Sequence, residues 1–402
     1  GAEKEAGGDR ERLVRELDRM KESGVENLRV MAASEGPDTE PWFTLSTLSH
    51  QPTPWRVLPS MQPRPGLYND GVVAGLDFLL AELARRDMTA VLCLNNMWPW
   101  SGGFAQYVSW ATGLPVPPPG ARGTFETARY LKFAKAFFNT KDAMTPWLRH
   151  VRFVVTRTNA ISGVAYRDDP TIMGWELAHE PRPMKAVVAY RRWINQTAAL
   201  IKSLDANHLV TIGSEGRTPF PKSYVGMDFA VDHAFADIDY TTIHVWAQNW
   251  EWYNPDEGAP SLERALRLAL AYVREHVAAS ARLRKPLILE EFGMSRDSNV
   301  HERGTPTTLR DHYYGVVLDE VVRQQTALLS AAPAVATSSS RRSSESTSGR
   351  GAARGSRARR ASRRRRRKCS RPTAGSPATR WSATRRTRPP AGTLSSTTTS
   401  RP

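Results

Sequence analysis

Two stretches of this sequence end in carboxylates that could do chemistry together. They are Thr171-Ile-Met-Gly-Trp-Glu-Leu-Ala-His-Glu-Pro-Arg182 and Lys285-Pro-Leu-Ile-Leu-Glu-Glu-Phe-Gly293. Each is an apolar, β-favouring run, the pattern of a buried parallel strand that delivers an acid to the mouth of a pocket. Strands so far apart in sequence can bring Glu180 and Glu291 face to face. A facing carboxyl pair is the minimum equipment for cleaving a glycosidic bond, and the retaining route places the two groups roughly 5–5.5 Å apart. The proton donor must stay protonated near neutrality, so its pKa is expected to be raised. A partly apolar strand end beside an aromatic wall and a second carboxylate would raise it. The attacking carboxylate must be ionised and needs hydrogen-bond donors; Arg29, at the end of an early strand, is one candidate.

Taken singly, a glutamate at a strand end is more often a helix cap or a surface ion-pair partner. Two at one barrel mouth, flanked by His and Trp, point to catalysis. Glu180 is the better marked. Glu290 and Glu291 compete for the second role, because successive strand side chains point to opposite faces and alternation does not say which points inward. His244 closes a strand just before Trp246 and could orient a carboxylate or a sugar hydroxyl; a purely structural role is as well supported. Trp98, Trp100, Trp110, Trp246, Trp250 and Trp252 crowd the loops, where flat rings could stack on sugar faces. Asn95, which opens the loop carrying Trp98 and Trp100, is a further candidate for substrate contact.

The elements that must position these residues alternate. Helices are expected over about 9–23, 70–86, 124–158 (interrupted near Pro146), 185–204, 261–281 and 307–329. Strands are expected at 27–31, 89–94, 171–178, 208–213, 239–245 and 285–290. Helix–strand alternation implies a parallel sheet wound with helices. Every functional-looking cluster follows a strand, and no glycine-rich phosphate loop is visible. Together these favour a (β/α)8 TIM barrel over an open doubly wound sheet. A strand before the first helix and an eighth strand after the last are both missing from the count, so the barrel is expected to be incomplete at both ends.

Charge is unevenly spread. Of 56 basic and 40 acidic residues, 19 and one respectively fall in 333–402, so the body (1–332) carries a net charge of −2. A near-neutral, tryptophan-rich body suits an uncharged substrate better than a polyanion. The segment 333–402 is poor in large apolar residues and reads as a disordered basic tail. Its abrupt Arg/Ser/Ala/Pro composition is what a GC-rich gene yields out of frame. That reading ranks ahead of an ordinary solvated tail, and nucleic-acid binding through Arg363–Lys368 ranks third. Only Cys93 and Cys369 occur, which implies neither a disulfide framework nor a Cys/His metal cluster. No apolar run is long enough to span a membrane, and no signal peptide is present in this chain.

At these residues the sequence resembles glycoside hydrolase family 5, specifically its bacterial endo-β-1,4-mannanases. The matching pieces are Asn27-Leu-Arg29, Tyr166-Arg-Asp-Asp-Pro-Thr-Ile172, Trp175-Glu-Leu-Ala178 with Glu180-Pro-Arg182, His244-Val-Trp246 with Asn249-Trp250, and Glu290-Glu-Phe-Gly293. The resemblance spans about residues 10–330. It implies a (β/α)8 barrel, no cofactor, no metal and a retaining mechanism. Glu180 would be acid/base and Glu291 nucleophile; Arg29 and His244 would support the nucleophile, and Trp246 would hold an aromatic position. It also implies β-mannan or manno-oligosaccharide as substrate, a secreted or periplasmic location, no nucleic-acid or membrane partner, and a monomer. Two departures stand out besides the absent first strand. The family's Asn before the acid/base, whose amide holds the sugar 2-hydroxyl, is His179 here, a larger ring that can titrate near neutrality. Lower activity or a changed pH profile is expected. The family's eighth-strand Trp has no match, since Trp381 lies in the wrong context.

Overall fold

The computed structural model describes residues 8–38, 56–118, 125–220, 225–300 and 302–331. The basic segment 333–402, with Cys369 and Trp381, lies outside them. Six strands alternate with helices: β1 (Asn27–Met31), β2 (Thr89–Cys93), β3 (Ile172–Glu176), β4 (Leu209–Thr211), β5 (Thr241–Val245) and β6 (Leu287–Phe292). Strands β1 to β4 pair in parallel and in chain order, as do β5 and β6. Between β4 and β5 the ladder is irregular but still bonded. The Asp239 amide donates to the Val210 carbonyl (2.8 Å), and the His244 amide donates to the Glu215 carbonyl (3.0 Å). The six strands therefore form one continuous arc of a barrel. Among the described residues no backbone hydrogen bond joins β1 to β6. Side chains span that opening instead, with the Arg29 guanidinium on β1 reaching Glu291 on β6.

Helices cover the outside because each strand must be buried on both faces. The longer ones are α1 (Arg10–Glu22), α2 (Asp70–Ala84), α3 (Gly103–Thr112), α4 (Phe125–Ala134), α5 (Lys141–Val155), α6 (Val187–Leu204), α7 (Ala259–Leu283) and α8 (Thr308–Ala331), and a single helical turn, Phe229–Asp232, lies between β4 and β5. Helix α1 starts where the Asp9 side chain accepts from the Arg12 amide at 2.8 Å, and Asn69 caps α2 in the same way. Each cap satisfies one orphan amide. One apolar cluster packs β1–β4 against α2–α6, with Trp147, Trp175 and Trp193 fully buried. A second packs β5 and β6 against α7 and α8 through Ile243, Leu289, Val273 and Val317.

Two local expectations need correction. The stretch 124–158 breaks at Thr140, which is extended (φ −107°, ψ 100°), while α5 runs on through Pro146. The Thr140 hydroxyl donates back to the Ala136 carbonyl at 2.8 Å, a local bond of the kind that competes with helical backbone bonds. Helix α3 follows the Trp98–Trp100 loop directly, so Trp110 sits on a helix and packs edge-on against Tyr107. Among the described residues no helix is long and apolar enough to cross a membrane.

Candidate active site

Glu180 follows β3 on backbone pinned from both sides. The His179 amide donates to the Asn95 carbonyl (2.8 Å), and the Glu180 amide donates to the Gly213 carbonyl (2.9 Å). Glu180 itself has φ +51°, in the left-handed region. Such a conformation is costly for a non-glycine residue and tends to mark functional positions. Gly213 (φ +82°) makes the approach possible, since a Cβ there would lie 2.1 Å from the Ala178 carbonyl oxygen and from Glu176 Oε1.

The competition between Glu290 and Glu291 resolves in an unexpected way. The β5–β6 register slips after Ile243↔Leu289, so that His244 faces Glu291. This irregularity suspends strict alternation, and both acids join one buried polar cluster. Glu291 accepts from the Arg29 guanidinium, lies 3.2 Å from His179 Nδ1, and accepts from Trp246 Nε1 at 3.0 Å. Glu290 meets His244 Nε2 at 3.4 Å and Arg29 Nε at 3.6 Å. Opposite them, Glu180 pairs with His244 Nδ1 at 2.6 Å and accepts from Trp98 Nε1. One ligand atom from each of His179, Glu180, His244 and Glu291 falls within 4.8 Å of the others. One oxygen of Glu180 and one of Glu291 therefore lie within 4.8 Å of each other, close to the carboxyl spacing of the retaining route.

The electrostatics correct one expectation. Burial works to raise the Glu180 pKa, but the His179 and His244 imidazoles outweigh it and hold the carboxyl down at about 2. Glu291 is held well below the usual range in the same way, with Arg29 adding to the two imidazoles. His244 moves oppositely. Burial would lower it, yet Glu291, Glu180 and Glu290 push it up to about 10. The proton that was expected on Glu180 rests on His244, 2.6 Å away. Glu290 is raised, chiefly by burial.

Several partners were not anticipated. Glu176, at the end of β3, forks with Arg29 and fixes the guanidinium that serves Glu291. An acid inside the apolar run Trp175-Glu-Leu177 was the available signal. Arg182 pairs bidentately with Glu215 at 2.7 and 2.8 Å and lies 4.8 Å over the Trp98 ring. That pairing holds the indole whose N–H meets Glu180. The carboxylate of Glu35 receives the Gly103 amide at 2.8 Å, where α3 leaves the loop.

Of the proposed sugar platforms, Trp98 and Trp246 are half-buried with their N–H groups on Glu180 and Glu291. Trp100 is half-buried, with its ring centre 5.3 Å from that of His179. Trp250 is corrected: it is buried in the second core cluster against Trp252 and Tyr272. Asn95 is corrected too. It is fully buried, and its Oδ1 accepts from the Asn96 amide (2.8 Å), so it shapes the loop instead of walling a groove. A cavity of about 520 Å³ lies between α1, α2 and the end of β1, bordered by Trp100 but not by the carboxylates.

Parallel strands wound with helices, with Glu180 just beyond β3 and Glu291 near the C-terminal end of β6, define a (β/α)8 barrel of the glycosidase kind. The family described as GH family 5 beta-mannosidase-like matches residues 1–338, and the chain belongs to it. A family 5 mannosidase from Rhizomucor miehei superposes with a TM-score of 0.70 at 36% identity, covering 80% of this chain and 74% of that one. The same enzyme is known as a Glu-to-Ala variant in complex with mannosyl-fructose. Mannan endo-1,4-beta-mannosidase 4 of Solanum lycopersicum is 32% identical over 265 residues, 63% of this chain and 60% of the relative. The chain thus spans about 60% of the length of the curated relatives it matches. An endo-1,4-beta-D-mannanase from Thermotoga petrophila, at 23% identity and a TM-score of 0.58, shares the fold.

Proposed function

We propose that this chain hydrolyses β-1,4-mannosidic bonds within mannan, galactomannan or glucomannan by a retaining double displacement. The observation that carries this reading is the placement of Glu180 and Glu291, with oxygens within 4.8 Å, sharing His179 and His244. Glu291, ionised and held by Arg29 and Trp246, attacks the anomeric carbon. The Glu180–His244 pair supplies one proton to the leaving oxygen, and Glu180 then draws a proton from water to release the glycosyl-enzyme. Trp98, Trp100 and Trp246 offer the ring faces nearest the carboxylates. Such a polymer is met outside the cell, so we place the protein there, acting as a monomer.

Reducing-sugar release from galactomannan tests this, with Glu291→Ala as control. Hydrolysis by the parent chain that falls by on the order of 10³-fold in the variant is the expected result. Faster release from carboxymethylcellulose would move the substrate to β-glucan. No release from any polysaccharide would make this an inactive barrel fragment.

A further inference from the structure

Glu35, just beyond β1, is fully buried yet takes no part in the reaction proposed above. A carboxyl is costly to bury unless its atoms find partners. Both the main chain and the side chain of this residue engage the loop that carries Trp98 and Trp100. Its amide donates to the Ser101 carbonyl (2.8 Å), and its Oε2 accepts from the Gly103 amide (2.8 Å). The two backbones touch between those bonds, where a Cβ on Gly102 would lie 2.1 Å from the Glu35 carbonyl oxygen. Glu35 thus clasps the loop where it turns into α3. The clasp has a firm backing. The Gln62 amide donates to the Ser34 carbonyl (2.9 Å), the Gly36 amide donates to the Gln62 carbonyl (3.1 Å), and the Tyr107 hydroxyl donates to Gln62 Oε1 (2.9 Å). Within the loop, Asn96 accepts from the Trp98 amide (2.9 Å) and donates to Ser101 Oγ (2.9 Å). What this assembly delivers is the Trp98 N–H to Glu180 and the Trp100 ring beside His179.

We propose that Glu35 is a positioning residue, which holds the Trp98–Trp100 loop as a preformed platform for the sugar chain and acts on the site only through that loop. A loop ordered before substrate arrives lowers the entropy cost of binding, so the effect belongs to KM more than to kcat. Burial pushes the Glu35 carboxyl up to about 8. It is therefore uncharged near neutrality, and a glutamine amide is a close substitute. The platform half of the proposal rests on the mannan-cleaving reading; the clasp does not.

Amide hydrogen exchange of the full-length chain, resolved by peptide, reads the clasp directly. Glu35→Ala removes the acceptor, Glu35→Asp withdraws it by one methylene, and Glu35→Gln keeps it. In the Ala and Asp variants the amides of 96–104 should exchange about tenfold faster, the worth of one buried hydrogen bond. Those of β3 and β6 should keep the parent's protection, and Glu35→Gln should match the parent throughout. With galactomannan, KM should rise roughly five- to tenfold in the Ala and Asp variants, with a smaller change in kcat, and return in Glu35→Gln. A merely structural role would lower kcat through lost folded molecules and leave KM alone. Parent-like exchange of 96–104 in both the Ala and Asp variants overturns the proposal, as does a Gln variant that exchanges as fast as the Ala variant. Faster loop exchange with unchanged KM overturns it too. Should Glu35→Ala fail to fold, Glu35→Asp decides alone. Faster loop exchange in the variants of a parent chain that hydrolyses no polysaccharide would refute the activity and leave the clasp standing; hydrolysis with unaltered loop exchange would do the reverse.

Discussion

His244 bridges Glu180 at 2.6 Å and Glu290 at 3.4 Å, and this one ring sets the proton inventory of the site. Its pKa is raised from 6.5 to about 10. The stability it contributes is therefore complete below pH 6.5 and is lost as pH rises through 10. Glu180 is depressed from 4.5 to about 2, so its contribution is present above pH 4.5 and is lost as pH falls toward 2. Melting temperature against pH should show a plateau between those limits. His244→Gln should remove the alkaline slope, at a cost of about 3–5 kcal/mol on the plateau from the broken buried pair. In the same variant the shared proton passes to Glu180 alone, which releases it more readily than His244 does. The alkaline limb of kcat/KM should move down by about one pH unit or more; a limb that stays in place would remove His244 from the proton path.

Individual elements show what the sequence could and could not say. Strand ends such as Glu180-Pro-Arg182 and Glu291-Phe-Gly293 were legible because acids that close apolar runs are rare and costly to bury without purpose. Arg29 was legible because a charge inside the apolar run of β1 needs a partner when buried, although it lies in the middle of that strand and not at its end. The register slip between β5 and β6 was not, because it depends on how two strands fit each other, and neither strand's own pattern records that. Nor were the long-range forks Arg29–Glu176 and Arg182–Glu215. Tryptophan misled in one place: Trp246 meets a carboxylate while Trp250, four residues on, fills a core. A large ring with one polar corner satisfies either setting. The end of β6 supplies a direct check. A Cβ on Gly293 would lie 2.6 Å from the Trp246 ring, so Gly293→Ala should push the indole off Glu291. Hydrolysis should then fall roughly 10- to 100-fold, and Trp246→Phe should show a similar loss without the clash. Unchanged kcat in both variants would reduce Trp246 to a structural role.

Across the whole molecule, charge and fold are separate matters. The body carries a net −2 and the segment 333–402 the rest of the formal +16. We infer that the barrel ends before that segment. Deleting 333–402 should abolish low-salt retention on a heparin column, a simple counterion-release effect, and leave mannan hydrolysis unchanged. Lost activity on deletion would mean that part of the tail completes the barrel. The alternating helices and strands made the barrel readable from sequence, whereas the arc's opening between β1 and β6 follows from which strands pair.

That opening gives Arg29 a second meaning. The same guanidinium that steadies the Glu291 carboxylate carries a side-chain link from β1 to β6, with a 3.6 Å contact to Glu290 beside it. Active sites often cost a protein stability; on the mannan-cleaving reading proposed above, the chemistry and the seam are here one contact. A descendant that drifted into inactivity by losing Glu291 would weaken its own closure in the same step. Surviving dead copies of this gene should therefore carry a compensating replacement at Arg29, while the living ones are kept intact by two pressures acting on a single pair.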